Sequence, residues 1–319
     1  MKRCKVITVM NWKGGVGKTT LTHHLGTGLL ELSKNERERY LGTSDLPRVL
    51  LIDNDAQCNL SISCLEDDYF EDLVYKKGIG TMKNLYSEFL MHDESDIDVD
   101  DYILKGSVRA AEDKVYTQVD LLPAHQDLIY TDMNIAVCKK PDFQGSLVGS
   151  DIYKFQILER ILEQVRDDYD FIFIDCPPDL NFITQNSLYT SDYYLIPTHL
   201  DKLSSYGISS ITNKVDEINK IFYMAPSQNG YDETELVGIV GNSVVEWNQA
   251  PKQSQQAILA SLREKFRDKV FENYLTYGDG IAKASELGYP VYAYAGSNGN
   301  AAKQSNMLRE ILLELLDRI

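Results

Sequence analysis

Two lysines flank a glycine-rich stretch near the start of the chain, in the run Lys13-Gly14-Gly15-Val16-Gly17-Lys18-Thr19-Thr20. A short β-branched apolar strand is predicted before it, over residues 5–10, and a helix after it, from Thr19 onward. Glycines let backbone N–H groups approach phosphate oxygens without a Cβ in the way, and the helix N-terminus adds its positive dipole end. The run therefore predicts a phosphate-binding loop, in which Lys18 would reach the β- and γ-phosphates of a nucleotide and the Thr19 hydroxyl would ligate Mg²⁺.

This loop departs from the usual pattern G-x-x-x-x-G-K-[ST], because Trp12 stands where the first glycine belongs. A second lysine, Lys13, opens the loop instead. The alternative explanation is a glycine-rich turn beside a surface lysine. The place of the loop between a predicted strand and a predicted helix favours phosphate binding.

Three aspartates follow predicted strands and supply the carboxylates that such a loop needs. Asp53 and Asp55 come directly after the strand predicted over residues 48–52, and Asp175 follows the strand predicted over residues 171–174. Carboxylates hold Mg²⁺ and orient the attacking water in phosphoryl transfer, and Asp175 best fits the outer shell of the metal. The alternative for each is a strand-ending or helix-capping role, because aspartate is common at both places.

The sequence at residues 11–20, NWKGGVGKTT, resembles the deviant Walker A motif of the ParA/MinD ATPases, and more closely that of the Soj-like ParA branch. Residues 49–61 are similar to the second motif of the family, and residues 169–180 to its Walker B and switch segment. Further similar segments between residues 119 and 294 extend the resemblance over nearly the whole chain.

The resemblance implies a P-loop NTPase fold, an α/β, doubly wound, mostly parallel sheet with helices on both faces. It implies ATP and Mg²⁺ as cofactors and an ATP-bound sandwich dimer in which Lys13 contacts the partner's nucleotide. A cation placed there would offset the charge that develops during transfer, as an arginine finger does. It also implies that Asp55 orients the attacking water and that Asp53 supports the metal site. The predicted catalytic residues are thus Lys13, Lys18 and Asp55, and the predicted metal site comprises Thr19, Asp53 and Asp175.

Three positions depart from the pattern of the family. Ala56 stands where the second motif usually has proline, which loosens the turn but leaves the carboxylates in place. In a later segment, Thr276 and Tyr277 replace a proline and an arginine, which weakens the expectation of an adenine contact and of a DNA contact there.

Asn242, at the end of a predicted strand, carries an amide that can donate and accept, and it is the predicted adenine contact.

Short apolar runs alternate with helical patterns along the chain. Further predicted elements are strands over residues 193–196, stopped by Pro197, and over residues 236–240, and a helix over residues 151–165. Continuous apolar strands separated by helices predict a parallel sheet covered on both faces, with ligands at the carboxyl ends of the strands. Asp53, Asp175 and Asn242 each lie at such an end.

The composition is ordinary for a soluble globular protein. The 319 residues are 43% hydrophobic, and 32 Lys and Arg against 48 Asp and Glu give a net charge of −16. The apolar content excludes low-complexity disorder, and no run approaches the roughly 18 apolar residues of a membrane span. The negative charge argues against DNA coating the whole surface, although a local basic patch is compatible with it.

One domain with surface decorations fits the chain best. We expect a single domain over residues 1–319, with insertions near residues 33–47 and 91–115, since we find no repeat or flexible linker. The five cysteines are odd in number and none has C-x-x-C spacing, so neither a disulfide framework nor a zinc site is expected. We therefore expect a reduced, cytoplasmic protein, associated with the nucleoid if it binds DNA.

The best candidate for a DNA-binding surface is a basic stretch over residues 252–269. It carries five cations against two acidic residues, and the cations are Lys252, Arg263, Lys265, Arg267 and Lys269. A sandwich dimer would double this patch, which is how an acidic chain could bind nonspecific DNA in its ATP-bound state. The alternative is a solvated amphipathic helix. The last predicted helix, over residues 303–319, has no net charge, so we expect it to pack in the core and not to bind a membrane.

The leading hypothesis is an Mg²⁺-dependent ATPase that partitions a plasmid or chromosome with a ParB-like centromere-binding partner. One alternative is a ParA-like ATPase switch that positions or regulates a non-DNA cargo. Another is a ligase or reductase on the same fold, but a ligase would not need Lys13 and the cysteines are poorly placed for a cluster. A third is a nucleotide-gated binding module without hydrolysis, against which the intact Asp55 argues.

Overall fold

The computed structural model describes residues 4–92, 96–138, 152–224, 231–296 and 299–319. The strands in these residues are β1 (Lys5–Val9), β2 (Val49–Asp53), β3 (Arg109–Ala111), β4 (Lys114–Val115), β5 (Val119–Leu122), β6 (Phe171–Asp175), β7 (Tyr193–His199), β8 (Glu235–Asn242), β9 (Glu246–Trp247) and β10 (Ala250–Pro251). Six of them form the main sheet, and β3–β4 and β9–β10 form two small antiparallel hairpins.

The helices connect and cover these strands. They are α1 (Lys18–Gly28), α2 (Lys34–Tyr40), α3 (Asn59–Leu65), α4 (Asp67–Glu71), α5 (Met82–Met91), α6 (Thr131–Val137), α7 (Ile157–Glu163), α8 (Phe182–Thr190), α9 (Lys202–Met224), α10 (Gln253–Phe266), α11 (Gly280–Glu286), α12 (Val291–Tyr294) and α13 (Gly299–Arg318). A π-helical segment, Asp72–Lys76, directly follows α4.

The main sheet has the order β5-β2-β6-β1-β7-β8, and every neighbouring pair in it is parallel. Asp175 at the end of β6 is level with Val9 of β1 on one side and with Asp53 of β2 on the other. The ends of the central strands therefore meet at one edge of the sheet. This confirms the predicted doubly wound α/β architecture of a P-loop NTPase.

An apolar core lies on each face of the sheet. In β2, Leu50 and Ile52 face the core that includes α5, α7 and α9, whereas Val49 and Leu51 face the core that includes α1, α3 and α13. Every residue of β2 and β6 is buried. Burial on both faces explains why these strands are continuous apolar runs in the sequence.

Most predicted strands are confirmed to within one or two residues, but the prediction that Pro197 stops its strand is wrong. β7 continues through Pro197 to His199. The proline is tolerated because β1 pairs with β7 only as far as Leu195, so Pro197 lies past the end of that ladder. Its carbonyl oxygen accepts a hydrogen bond of 2.8 Å from the Asn11 side chain.

The edge strand β5 was not predicted from the sequence, because Asp120 interrupts its short apolar run. The structure buries Asp120 and satisfies both of its oxygens. Oδ1 accepts from the Gly106 N–H at 2.7 Å, and Oδ2 accepts from the Tyr169 hydroxyl at 2.7 Å. A buried carboxylate is tolerated in a strand when its oxygens have such partners.

The helix predicted over residues 151–165 is shorter than expected. A 3₁₀ segment, Ile152–Phe155, precedes α7, which begins only at Ile157, and Asp151 lies outside the described residues. The start of α7 is held by the buried Asn186, whose Oδ1 accepts from the Leu158 N–H at 3.1 Å. A tertiary contact thus sets this helix boundary, which the apolar periodicity does not mark.

Within their described residues, the two predicted insertions contribute no strand to the main sheet. The first contains α2, which begins with a capping box formed by Ser33 and Glu36. The second contains the hairpin β3–β4, and residues 93–95 of it lie outside the described residues. In the second segment, Leu104 also exchanges two backbone hydrogen bonds with Leu121 of β5, so the division into a domain and its insertions stays a prediction.

The apolar faces predicted for the last helices are confirmed. In α10, Leu259 and Leu262 are buried, and in α13 the row Leu308, Ile311, Leu312 and Leu315 is buried in the core. In the part of the chain that the structure describes, none of the helices has the length and apolar character needed to cross a membrane.

Candidate nucleotide-binding site

The predicted loop, Asp55 and Asn242 meet around a cavity of about 540 Å³ at the carboxyl ends of the parallel strands. The loop end of the cavity is lined by Gly14, Gly15, Gly17, Lys18, Thr19, Thr20 and Asp55. The lining also includes Asn242, which contacts the loop, and Ser243, Thr276, Tyr277, Ile281, Ser285 and Gln304, among others. Asp53 and Asp175 are fully buried behind this wall. The position agrees with the expectation for ligands of open α/β sheets.

The phosphate loop leads directly into an N-terminus of α1 that has no side-chain cap. Gly15 and Gly17 have φ angles of 70° and 96°, which favour glycine. Gly17 is the N-cap of α1 but has no side chain to bond the first N–H groups, and the first turn contains no acidic residue. These N–H groups and the helix dipole are therefore available to an anion. The buried Lys18 adds a positive charge there, with Nζ donating to the Lys13 carbonyl at 3.4 Å.

The Thr19 hydroxyl and the Asp175 carboxylate form a pair directly behind the loop. Thr19 Oγ1 donates to Asp175 Oδ2 at 2.6 Å, whereas Asp175 Oδ1 is buried without a hydrogen-bond partner among the described residues. Burial, and then the nearby Asp53 carboxylate, raise the pKa of Asp175 well above its ordinary value. A divalent cation would favour the charged form and engage such a buried oxygen.

This donor set fits Mg²⁺, which binds few protein oxygens and takes its other ligands from phosphates and water. Thr19 and Asp175 are the residues that would hold it. Within the described ranges, no group of three or more His, Cys, Asp or Glu side chains is arranged as a complete metal site.

The Asp53 carboxylate is hydrogen-bonded to groups of the protein and does not line the cavity. Its Oδ2 accepts from the Ser61 N–H at 2.8 Å and from the Ser61 hydroxyl at 2.7 Å, and Oδ1 accepts from the Asp55 N–H at 3.3 Å. Burial raises its pKa to about 7, against the opposing effect of the Ser61 hydrogen bonds. Asp53 thus holds the turn that carries Asp55, which places it in a supporting position beside Asp175. Ser61 was not singled out in the sequence.

Asp55 lies in the wall of the cavity, unlike the other two aspartates. Its side chain is 8% exposed, and Oδ1 accepts from the Gln57 N–H at 3.0 Å. Burial raises the pKa of this carboxyl above its ordinary value. Of the three predicted aspartates, it is the one placed to contact a water molecule in the cavity.

The part of the cavity lining over residues 276–281 is organised by Gln304 of α13, a residue that sequence reasoning missed. Its Nε2 donates to the Thr276 carbonyl at 3.1 Å, and its Oε1 accepts from the Ile281 N–H at 3.0 Å. These bonds hold the segment 276–281 against α13. Tyr277, which stands where relatives of this type were expected to have arginine, lies at the rim and is 78% exposed.

A family model described as an AAA domain, AAA_31, matches residues 4–225. The chain belongs to this family. It is 26% identical over 308 residues to the sporulation initiation inhibitor protein Soj of Bacillus subtilis, which covers 96% of this chain and 98% of that protein. It is 24% identical over 319 residues to the chromosome partitioning protein ParA of Caulobacter vibrioides, at 98% and 96% coverage. The chain is therefore a ParA-like family member, as its motifs predicted.

Two solved structures share the fold of this ParA-like chain. An ATP complex of McdA from Cyanothece matches with a TM-score of 0.68 and 16% identity, over 98% of this chain and 97% of that one. A cobyrinic acid a,c-diamide synthase from Mycobacterium smegmatis, with bound ADP and magnesium, matches with a TM-score of 0.61 and 21% identity, over 92% and 93%. At these identities the likeness concerns the fold alone.

In this ParA-like chain, the first lysine of the loop points away from the cavity. Lys13 Nζ forms an ion pair of 2.7 Å with Asp201 Oδ2, and both side chains are nearly half exposed. Asp201 also accepts from the Ser204 N–H at 2.8 Å through Oδ1, at the start of α9. Asp201 was missed in the sequence, where its spacing to Ser204 is the signal of a helix cap. Lys13 and Asp201 are thus placed at the surface beside the loop.

His199 and the predicted DNA-binding stretch over residues 252–269 lie outside the cavity lining. His199 ends β7 beside the loop, and burial, followed by the Lys13 charge, lowers its pKa. The basic patch on and beside α10 keeps Lys252, Lys265 and Arg267 exposed, whereas Arg263 forms an ion pair of 2.7 Å with Glu272. The patch is therefore present at the surface but partly neutralised.

Proposed function

We propose that this chain is an Mg²⁺-dependent ATPase of the cytoplasm that forms an ATP-bound sandwich dimer. It would partition a plasmid or chromosome with a ParB-like partner and nonspecific DNA. The observation that carries the proposal is the phosphate loop above the Thr19–Asp175 pair, with Asp55 in the cavity wall. Near full-length similarity to proteins named Soj and ParA supports the partition role.

Each residue of the site has a role in this proposal. The loop amides and Lys18 bind and neutralise the phosphates, and Thr19 and Asp175 hold the metal. Asp55 orients the attacking water, and Asp53 fixes the turn on which Asp55 stands. Bound Mg²⁺ would supply charge neutralisation on the phosphate oxygens.

The dimer would be completed by Lys13. Its ammonium would leave Asp201 and reach the nucleotide of the second chain, where it offsets the charge that develops during transfer. An exposed ion pair contributes roughly 0–1 kcal/mol, so its release costs little compared with a contact to a triphosphate. Dimerisation and hydrolysis would thus be coupled through one side chain.

A second candidate function is an ATPase switch for a non-DNA cargo. Two observations favour it: the net charge of −16, and the pairing of Arg263 with Glu272 within the basic patch. The solved complex of McdA with ATP has the same fold, and it carries no information about the cargo of this chain. DNA binding is the property that separates the two candidates.

The decisive experiment is DNA binding by an Asp55→Ala variant with ATP and Mg²⁺, against ADP, across a salt series. This variant should keep ATP without hydrolysing it and accumulate the dimer. We expect binding that requires ATP, is independent of sequence and weakens steeply with salt, because phosphate contacts release counterions. The matched control is Asp55→Ala combined with Lys18→Ala, which should bind ATP far more weakly and, at the same ATP concentration, should not bind DNA.

Each outcome separates the candidates. A dimer that does not bind DNA at low salt would favour the non-DNA cargo and contradict the partition role. Normal ATP turnover by Asp55→Ala would contradict the role of Asp55, and absence of an ATP-dependent dimer would contradict the switch itself.

A further inference from the structure

The Asn242 side chain is bound to backbone groups on both sides. Its Nδ2 donates to the Val16 carbonyl of the phosphate loop at 2.7 Å, and its Oδ1 accepts from the Ser243 N–H at 2.7 Å. The residue is 7% exposed. If the amide were flipped, its oxygen would face the Val16 carbonyl oxygen and its N–H groups would face the Ser243 N–H. The two partners therefore determine the orientation of the amide.

The same carboxamide packs directly on the loop. A Cβ at Gly17 would lie 2.1 Å from Asn242 Nδ2 and 3.1 Å from its Cγ, so the side chain occupies the space beside that glycine. Gly17 has a φ of 96° and leads straight into Lys18, the first residue of α1. Asn242 therefore touches the loop at the turn that leads into Lys18 and the first turn of α1.

The contact also joins two parts of the site that are distant in the sequence. Asn242 is the last residue of β8, paired with His199 in the sheet, and it lies 226 positions from Val16. Because β8 belongs to the rigid sheet, a bond from its end restrains the loop against the sheet. A mobile loop would have to be ordered when phosphate binds, and that ordering costs free energy.

We infer that Asn242 is a positioning residue that ties the phosphate loop to β8 and sets the affinity for phosphate, and that it does not select the nucleobase. This inference rests on the proposed nucleotide-binding function. The side-chain oxygen that would accept a hydrogen bond from the 6-amino group of adenine already accepts one from the Ser243 N–H. A second N–H on Nδ2 can meet only an acceptor such as purine N7, which adenine and guanine share.

A ligand without a base separates positioning from base recognition. The probe is inorganic tripolyphosphate with Mg²⁺, compared with ATP and GTP by titration calorimetry on the full chain and on Asn242→Ala. We expect the affinities for all three ligands to fall by the same factor, about tenfold or more, because the Val16 carbonyl loses its buried partner. The ratio of ATP to GTP affinity should not change.

Asn219→Ala is the matched control, because Asn219 of α9 is also a buried asparagine whose Nδ2 donates to a backbone carbonyl, that of Thr234 at 3.1 Å. It should lose stability without losing affinity for tripolyphosphate. If Asn242→Ala does not fold, Asn242→Ser replaces it with the same expectation. As a readout without ligand, hydrogen exchange of the loop amides should be faster in the Asn242 variant and unchanged in the Asn219 variant.

Two results would overturn the inference. One is an unchanged affinity for tripolyphosphate together with a fall in ATP affinity relative to GTP, which would assign base recognition to Asn242. The other is an unchanged affinity for every ligand. If the unmodified chain binds tripolyphosphate but neither nucleotide, the proposed function fails, and the role of Asn242 is still decided by tripolyphosphate and hydrogen exchange.

Discussion

At the residue scale, Lys18 is the cation on which the phosphate loop depends. It is 7% exposed, and the hydrogen bond that its ammonium donates to the Lys13 carbonyl is long at 3.4 Å. The ammonium is therefore largely removed from water but only weakly hydrogen-bonded, and a phosphate oxygen would be a far stronger partner. The loop geometry without this charge would still offer backbone donors to an anion.

We expect Lys18→Ala to lower the affinity for Mg·ATP by about 100-fold, since a hydrogen bond to a charged group contributes roughly 1.5–3 kcal/mol. Titration calorimetry measures this change, with circular dichroism to verify the fold. Lys13→Ala, which removes the same charge from the surface side of the loop, is the matched control and should retain ATP. An ATP affinity of Lys18→Ala within threefold of the original would refute this assignment.

Lys13 should act on the dimer rather than on nucleotide binding. Its ammonium is held by Asp201 in its own chain, outside the cavity. Lys13→Ala should therefore bind ATP, yet neither dimerise stably nor hydrolyse it, which sedimentation with ATP and a phosphate-release assay would measure. Unchanged dimerisation would rule out the role of Lys13 across the interface.

The informative comparison for Lys13 is Asp201→Asn. Asparagine keeps an acceptor for the Ser204 N–H at the start of α9 but removes the charge that faces Lys13. Because the exposed ion pair contributes at most about 1 kcal/mol, this variant should change dimerisation by no more than about fivefold. A larger effect would mean that Asp201 does more than hold the lysine.

At the element scale, α1 is joined to α12 by His24. The Val291 N–H donates to His24 Nε2 at 3.0 Å, so the ring proton is on Nδ1 and is donated to the Thr20 carbonyl, 2.8 Å away. This arrangement requires a neutral ring, and burial lowers the pKa of His24 to about 4. His23 and His24 are both buried and lie outside the cavity lining, so they have packing roles.

The lowered pKa of His24 predicts acid sensitivity. Below pH 6.5 the unfolded chain binds a proton that the folded chain does not, so stability falls from pH 6.5 down to about 4. The loss from this group approaches 1.4 kcal/mol per pH unit. Urea unfolding of the original and of His24→Gln at pH 7, 6 and 5 measures it. The variant should be less stable at pH 7, but its free energy of unfolding should decrease less as the pH falls. An equal decrease with pH in the two proteins would contradict the assignment.

At the scale of the whole molecule, the −16 charge opposes DNA and the α10 patch favours it. Lys252, Lys265 and Arg267 are exposed, and the helix between them is anchored by Leu259 and Leu262. Replacing the three cations with glutamine should weaken ATP-dependent DNA binding. It should also lower the salt slope by about 0.9 for each DNA phosphate that these cations no longer neutralise.

A matched triple variant separates this patch from overall charge. Three exposed cations lie elsewhere: Lys34 on α2, Lys76 at the end of the π-helical segment and Lys77 directly after it. Replacing them with glutamine changes the net charge equally. Gel shifts across a salt series should show a weakened patch variant and an unaffected control. Equal weakening of both would mean that overall charge, and not α10, governs binding.

The sequence by itself determined the phosphate loop, the positions of most strands along the chain and the parallel α/β architecture. These features rest on signals between neighbours in the chain. Glycine spacing sets the turn at Gly15 and Gly17, and buried parallel strands require continuous apolar runs such as residues 171–174. Because parallel strands end at one edge, the position of Asp53, Asp55 and Asp175 near the loop also followed from the pattern.

Only the tertiary structure decided which partner each of these side chains has. Asp201 lies 188 positions from Lys13, and Asn242 lies 226 positions from Val16, so no local spacing indicates either pair. The same holds for Asp120 in β5. In the sequence it interrupts an apolar run, but in the structure groups distant in the chain donate hydrogen bonds to both of its oxygens. Local patterns follow from backbone preferences and periodic burial, whereas long-range polar pairs form only after packing has brought remote segments together and excluded water.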